Sequence, residues 1–373
     1  MSKTITKSNT AVILLNTHPS LSQQSAFTTG NMSVEPYNLV QDFNYSVQIP
    51  RQDLKQVGSQ DLASRDFFQQ PDVQLGFSYL IEPAFRNEKN SFLIPFGIET
   101  SRSEFHNFFN GVLDKSTNFY AVISNEQQGD ALDKIAYNDT IFDLTGFDCI
   151  AFGNCFPTSY GLTYSLGAMP VASTNFICSN VIFEKLTGKS MQSPAINLTG
   201  GNNDNVGLSL FLIEDRPNGF NLVVGPNETG ADSAVKLQNL EVGGQALSGI
   251  HFVQSLDMSV GLERTSNYGL GNDFAFNRKA QLPANGTFTV SSLVSGLAAG
   301  ELTGVLNNDD DYTFEVAFTS TTGHKGMIYK VEDAKLNSYN YGMPVNGQMT
   351  FDAEFSFKVT ETNGLKVSGS QYT

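Results

Sequence analysis

The amino-acid sequence contains two copies of one pattern, and this internal repeat constrains the fold more than any other feature. Residues 40–51 read VQDFNYSVQIPR and residues 253–264 read VQSLDMSVGLER, so Val, Gln, Ser, Val and Arg recur at an offset of 213. The register continues without a gap to Leu80 and Leu293. A repeat of this kind predicts two units of the same fold within one chain.

Two shorter matches follow in the same order along the chain. GVLD at 111–114 matches GVLN at 304–307, and Leu162 with MPV at 169–171 matches Leu336 with MPV at 343–345, an offset of 174. The sequence therefore predicts four regions. They are an N-terminal segment (1–37), a first domain (38–187), a β-rich insertion (188–249) that adds strands to one of the copies, and a second domain (250–373).

Alternation of apolar and polar residues predicts that both copies consist of strands. FNYSVQI at 43–49, VQLGFSY at 73–79 and FDAEFSFKV at 351–359 alternate in this way, which places one set of side chains on a core face. Helical spacing is found only near 101–113 and, more weakly, at 129–137. The predicted fold class is mainly β: two tandem β-sandwich or barrel domains, each with at most one or two short helices.

The composition argues against several classes of protein. A net charge of −15, from 37 acidic against 22 basic residues, is unsuited to wrapping nucleic acid, since phosphate contacts need a basic surface. Cys149, Cys155 and Cys178 are odd in number and lack CxxC spacing, which predicts reduced thiols in a core. No apolar run approaches the roughly 18 residues of a membrane span. The run at 11–15 is too short for a signal peptide, so we expect a soluble protein made in a cytoplasm.

No residue pattern points to catalysis or to a bound cofactor. The four histidines lie far apart, without zinc-ligand spacing. GLG at 269–271 lacks the third glycine of a dinucleotide fingerprint. NNDDD at 307–311 lacks the Gly and Glu of an EF-hand, so it reads as a solvated turn, with a weak cation site as the alternative. We expect no enzyme activity and no cofactor.

In both copies a strand ends at an arginine, Arg51 or Arg264, and about 20 mostly polar residues follow before the next strand. Connections of this length inside a compact domain usually have a purpose. The sequence leaves two roles open for these arginines. They either contact a carboxylate or carbonyl at the strand end, or they contact another subunit.

The repeated unit resembles the phage tail tube family, in its doubled-domain, trimer-forming type. The resemblance rests on the strand, long loop and strand that open each copy. It rests also on the closing segment 158–173, TSYGLTYSLGAMPVAS, where an alternating strand leads through a turn into another strand. It implies a structural virion protein, the major tube subunit of a tail, assembled in the host cytoplasm. Homotrimeric rings would stack into a tube and contact other tail proteins, and DNA would pass through the lumen without specific binding and without a membrane.

The resemblance also implies that the long loops, 52–70 and 265–282, contact the adjacent ring. The candidates for inter-ring contact are Arg51, Gly58, Arg65, Phe67, Phe68, Arg264, Gly271, Phe274, Phe276 and Arg278. Two other functions stay open at this point: a tail-tip or adaptor ring of the same fold, and a carbohydrate- or receptor-binding β-sandwich module.

Overall fold

The computed structural model describes a chain that is mainly β. The described residues are 12–17, 26–28, 34–36, 40–49, 51–55, 62–67, 72–81, 106–107, 116–123, 147–165, 168–185, 190–192, 235–236, 240–242, 245–246, 251–267, 275, 277–294, 311–319, 325–342 and 348–368. None of these residues is helical.

Thirteen strands precede residue 193. They are β1 (Val12–Thr17), β2 (Ala26–Thr28), β3 (Val34–Pro36), β4 (Val40–Gln48), β5 (Arg51–Lys55), β6 (Leu62–Phe67), β7 (Asp72–Leu80), β8 (His106–Asn107), β9 (Thr117–Ile123), β10 (Asp148–Ser165), β11 (Val171–Cys178), β12 (Asn180–Lys185) and β13 (Ser190–Gln192).

Eleven strands follow residue 234. They are β14 (Val235–Lys236), β15 (Leu240–Val242), β16 (Gln245–Ala246), β17 (His251–Gly261), β18 (Arg264–Asn267), β19 (Asn277–Ala280), β20 (Ala284–Val294), β21 (Tyr312–Thr319), β22 (Lys325–Gly342), β23 (Thr350–Val359) and β24 (Leu365–Ser368).

The central element is an antiparallel sheet of eight strands in the order β4-β7-β11-β10-β17-β20-β23-β22. The first four strands come from one half of the chain and the last four from the other. The pairing order of the first half, β4-β7-β11-β10, recurs in the second half as β17-β20-β23-β22. The two halves meet where β10 pairs with β17.

Smaller sheets share the long strands β10 and β22 with the central sheet. The N-terminal part of β10 pairs with β9 and β12, and β9 pairs further with β1. The N-terminal part of β22 pairs in the same way with β21 and β24. Aromatic rings connect the layers: Phe77 of β7 lies edge-on to Phe119 of β9, with centroids 5.5 Å apart. Each half therefore has the layered character of a β-sandwich.

Both shared strands bend where they pass from one sheet to the other. Asn154 in β10 and Asp333 in β22 adopt left-handed backbone conformations, with φ of 50° and 56°. Asn and Asp are the non-glycine residues that tolerate this region best. The bend in β10 is held by Asn118, whose Oδ1 accepts a hydrogen bond of 3.0 Å from the Asn154 backbone N–H.

The core is continuous across both halves and is rich in aromatic side chains. Alternation puts Leu75, Phe77 and Tyr79 of β7 on the core face, where all are buried. Side-chain sizes differ between the halves at one matched cross-strand pair: Val73 faces Cys178 in β11, whereas Gly286 faces Phe357 in β23. A Cβ on Gly286 would collide with the Phe357 ring, so the large ring of the second half needs a glycine opposite it.

The structure changes one prediction and extends another. The helix expected over 101–113 is wrong at His106–Asn107, which form β8 and pair with β24, because a long-range backbone pairing overrides local apolar spacing. The rest of that segment and all of 129–137 lie outside the described residues. In the region 188–249, β14 and β15 pair with β21 of the second half, whereas β13 pairs with β2.

Candidate assembly interface

The joint between the halves is an extended strand pairing. Seven residue pairs connect β10 to β17, from Ser159 opposite Gly261 to Ser165 opposite Ser255. On the core face Tyr160 lies opposite Val260 and is buried. A buried strand pairing with an apolar face makes the two halves parts of one folded unit.

A tyrosine pair connects the halves through the core. The hydroxyls of Tyr160 in β10 and Tyr329 in β22 are 2.8 Å apart and share a hydrogen bond in a buried setting. Their rings are stacked, with centroids 6.4 Å apart. Burial raises the pKa of Tyr329 well above its ordinary value, and Tyr79 nearby adds to the shift. The Tyr329 hydroxyl therefore keeps its proton at neutral pH.

The predicted long loops contain β-hairpins of matching register. In the first, β5 pairs with β6 and Arg51 lies opposite Phe67. In the second, β18 pairs with β19 and Arg264 lies opposite Ala280. The same offset of 213 relates both pairs. The connections that sequence analysis treated as loops are thus ordered at their bases as strand pairs.

The second hairpin packs on the first half of the same chain through Arg264. Its Nε donates a 2.6 Å hydrogen bond to the Pro157 carbonyl, and its Nη1 donates one of 2.8 Å to the carbonyl of Arg278. Its Cζ lies 5.3 Å from the centroid of the Phe156 ring, within the range of a cation–π contact. Of the two roles left open for this arginine, the structure shows the carbonyl contact.

Arg278 places a buried cation at the same joint. Its side chain is only 4% exposed, and its Nη2 is 3.5 Å from Oδ1 of Asp72 at the start of β7, which is 39% exposed. Among the described residues its Nε and Nη1 have no hydrogen-bond partner. Burial, together with the adjacent Cys178, raises the pKa of the Cys155 thiol, and the charge of Arg278 partly opposes this shift. The Asp72 carboxylate, through its ion pair with Nη2, balances the charge of Arg278 across the joint.

The face of the central sheet opposite the core is polar and carries short cross-strand hydrogen bonds. Across the joint, Thr163 Oγ1 donates to Asp257 Oδ2 at 2.9 Å. Within the second half, Ser291 Oγ donates to Asp352 Oδ1 at 2.5 Å. Small hydroxyl and amide side chains dominate this face, and Asp257, Asp352 and Glu354 outnumber Lys358 on strands β17 and β23. This face is therefore polar, with more acidic than basic side chains on these two strands.

The register of the strand pairs relates the two halves position by position. The pair Ser46–Gln74 corresponds to Ser259–Thr287 at the offset of 213. Both first strands also carry a bulge at the same place, between Val40 and Asp42 and between Val253 and Ser255.

The last two strands of each half correspond at an offset of 179. Ser78 pairs with Ser173, and Ser291 pairs with Asp352. The bulges between Pro157 and Ser159 and between Leu336 and Ser338 share this offset, as do Asn154 and Asp333. The expected match of Leu162 with Leu336 is therefore wrong, and Leu162 corresponds to Tyr341. Like residues near a turn do not fix the register of a ladder, and an odd shift exchanges its faces.

Only some of the predicted contact residues can be placed. Arg51 begins β5 and is exposed, while Arg65 and Phe67 lie in β6. Arg264 and Arg278 lie at the joint described above. Gly58, Phe68, Gly271, Phe274 and Phe276 lie outside the described residues, as do the GVLD and GVLN blocks. Contact of these loops with an adjacent ring stays a prediction.

The described residues contain neither a metal-ligand cluster nor a membrane-spanning helix. No group of three or more His, Cys, Asp or Glu among the described residues could hold a metal ion. Of the 307–311 run only Asp311 is described, and its carboxylate forms a 3.0 Å ion pair with Lys335. The three cysteines are buried and free, as predicted. No helix in the described ranges has the length and hydropathy needed to cross a membrane.

The chain matches no protein-family model and no curated protein.

Proposed function

We propose that this protein is a self-assembling structural subunit, three copies of which close into a ring that stacks into a hollow tube, as in phage tails. One observation carries the proposal: two halves with the same pairing order are joined edge to edge in one sheet. Among the described strands, β4 and β22 are the two ends of the central sheet. These strands correspond to β17 and β10, the two strands that form the internal joint.

An edge pair of this kind predicts closed assembly. A strand edge is an aggregation hazard unless it is paired. Because β22 and β4 are different surfaces, joining one to the other in the next chain is a head-to-tail contact that either closes into a ring or continues as a filament. Three chains with two similar halves each would give six similar units, the number implied by the resemblance to doubled tail tube subunits.

The polar face of the sheet suits the inner wall of such a tube. Its acidic side chains would repel phosphate groups, and the net charge of −15 acts in the same direction. DNA could therefore pass along the wall without specific binding. In this proposed role the protein needs no enzymatic activity and no cofactor. Its partners would be further copies of itself and other tail proteins.

Negative-stain electron microscopy of the purified chain over a range of concentrations tests the proposal. Threefold rings and long hollow tubes are the expected result. Rings that never stack would favour an adaptor ring of the same fold. A chain that stays monomeric at all concentrations and binds glycans would overturn the proposal in favour of a carbohydrate-binding module.

Stacking can be tested separately from ring closure. Shortening the connection between β18 and β19 within 268–274 spares the hairpin base, where Arg264 and Arg278 hold the joint. We expect rings that no longer stack. Tubes of normal length from this variant would show that the loop does not contact the adjacent ring.

A further inference from the structure

We infer that β22 of one copy pairs with β4 of a second copy in the register of the internal joint, and that Lys335 makes this subunit joint weaker than the internal one. The inference rests on the proposed ring. It commits to one occupant of both sheet edges, a second copy of this chain, because the chain itself contains the same joint once already between β10 and β17.

Burial along β4 supports this assignment. In β17 and just after it, Met258, Val260 and Leu262 are fully buried by the internal joint. The corresponding residues of β4, at the offset of 213, are Tyr45, Val47 and Ile49, and each is only half-buried. Apolar surface that is covered in β17 is thus partly exposed along β4.

Burial along β22 gives the complementary result. Tyr160 of β10 is 1% exposed, whereas Tyr339, at the offset of 179, is 46% exposed and is one of the two large exposed apolar side chains among the described residues. Leu162 is likewise buried, and its counterpart Tyr341 is half-buried on Phe351, with ring centroids 4.8 Å apart. Both outer edges of the sheet thus expose the apolar side chains that the internal joint covers.

The internal joint also gives the register of the subunit joint. Tyr160 opposite Val260 and Leu162 opposite Met258 become Tyr339 opposite Val47 and Tyr341 opposite Tyr45 of the second copy. These pairs would bury the exposed tyrosine faces against apolar partners.

On the polar face, Gly161 opposite Ser259 becomes Asn340 opposite Ser46 of the second copy. At the internal joint, the Leu262 N–H donates a hydrogen bond to the Thr158 carbonyl. Because hydrogen-bonded and non-hydrogen-bonded pairs alternate along an antiparallel ladder, the even-numbered residues of β10 belong to hydrogen-bonded pairs. Gly161–Ser259, and with it Asn340–Ser46, is therefore a non-hydrogen-bonded pair. Such pairs bring their side chains closest together.

One contact of the internal joint has no equivalent at the subunit joint. Arg264 lies over the ring of Phe156. The residue corresponding to Phe156 is Lys335, and the one corresponding to Arg264 is the exposed Arg51. The cation–π contact is thereby replaced by the approach of two cations, of which Lys335 is already ion-paired with Asp311. The subunit joint therefore forms at a higher chain concentration than it would with an aromatic residue in place of Lys335.

Disulfide trapping tests the register. The variant Ser46→Cys/Asn340→Cys is oxidised under mild conditions at concentrations where rings form, then analysed on non-reducing gels. We expect covalent dimers and trimers. The matched control, Asn44→Cys/Asn340→Cys, moves one thiol two residues along the same face and should cross-link at least tenfold less. The unmodified chain, whose native cysteines are buried, should give no ladder.

The outcomes separate this inference from the proposed function. If electron microscopy shows rings but the control cross-links and the main variant does not, the register is wrong and the proposed ring is unaffected. A chain that forms neither rings nor cross-links would overturn both. Cross-links in the expected variant, with threefold rings, support both.

The weakening role of Lys335 is tested by Lys335→Phe, which copies the aromatic residue of the internal joint. We expect the concentration at which half of the chains are in rings to fall about fivefold, as each joint gains a contact of cation–π type. Lys185→Phe on β12, away from the central sheet, adds the same ring as a control and should leave this concentration unchanged. An unchanged or higher value for Lys335→Phe would refute the role assigned to the lysine.

Discussion

Loss of the hydroxyl of Tyr160 should destabilise the whole chain, because it removes a buried hydrogen bond between the two halves. The bond to the Tyr329 hydroxyl is 2.8 Å long, and both side chains are fully buried. A hydrogen bond in such a place contributes about 1 kcal/mol net, and a buried polar group that loses its partner costs about 1–3 kcal/mol. Tyr160→Phe should therefore lower the free energy of unfolding by about 1–3 kcal/mol.

A double-mutant cycle isolates the contribution of this bond. Urea unfolding at pH 7 and a concentration below ring formation is measured for Tyr160→Phe, Tyr329→Phe and the double variant. We expect the double variant to lose less than the sum of the single losses, with a coupling energy of at least about 0.5 kcal/mol. Tyr339→Phe, on the exposed edge, should change stability by less than about 0.5 kcal/mol. Additive losses would refute the reasoning that the bond energetically couples the halves.

Three further perturbations follow from the buried groups. Gly286→Val should lower stability by at least about 2 kcal/mol through overpacking, and adding Phe357→Cys, which copies the pair of the first half, should restore part of the loss in urea titrations. Asp72→Asn should cost about 2 kcal/mol because it leaves Arg278 buried without its counter-charge, whereas Arg278→Met should cost less; the reverse order would contradict the charge-balance argument. Stability should fall as pH rises above about 10, because the folded chain holds the Tyr329 proton, whose pKa burial raises, after the unfolded chain has lost it. Tyr329→Phe should make that decline in stability shallower, and an unchanged decline would contradict the role assigned to the Tyr329 proton.

The repeat and the alternating runs predicted a large part of the fold from sequence. FNYSVQI lies in β4 and the residue after it, and VQLGFSY and FDAEFSFKV lie in β7 and β23. The offset of 213 correctly relates β4 to β17 and β7 to β20 in register. These segments are half-buried strands, where the period of two is imposed by a core on one side, and so it is visible in sequence.

The register of the closing strands could not be read in the same way. The matching Met-Pro-Val segments suggested an offset of 174, while the bulges and pairings give 179. Turn residues reflect local backbone chemistry, and ladder position is fixed by backbone partners distant in the chain. The helix expected over 101–113 fails at His106–Asn107 for a related reason, since pairing with β24 is a long-range contact.

The candidate interface was predicted in part. Arg264 and Arg278 were predicted from their repeat positions, but their contact with the first half of the same chain was not. Tyr339 and Tyr341 were not predicted, because exposure at a sheet edge depends on strand order, which the periodicity of a sequence does not contain. The misplaced match of Leu162 with Leu336 hid the correspondence with Tyr160 that would have indicated them.

The passage of β10 and β22 through two sheets each has a mechanical consequence. A force applied to the central sheet is transmitted to the smaller sheets through the covalent backbone of β10 and β22. The layers therefore resist sliding past one another. To part them, a load must shear many backbone hydrogen bonds at once on either side of Asn154 and Asp333. A wall built from such units would resist tension and pressure within each subunit, and it would fail first at the joints between subunits.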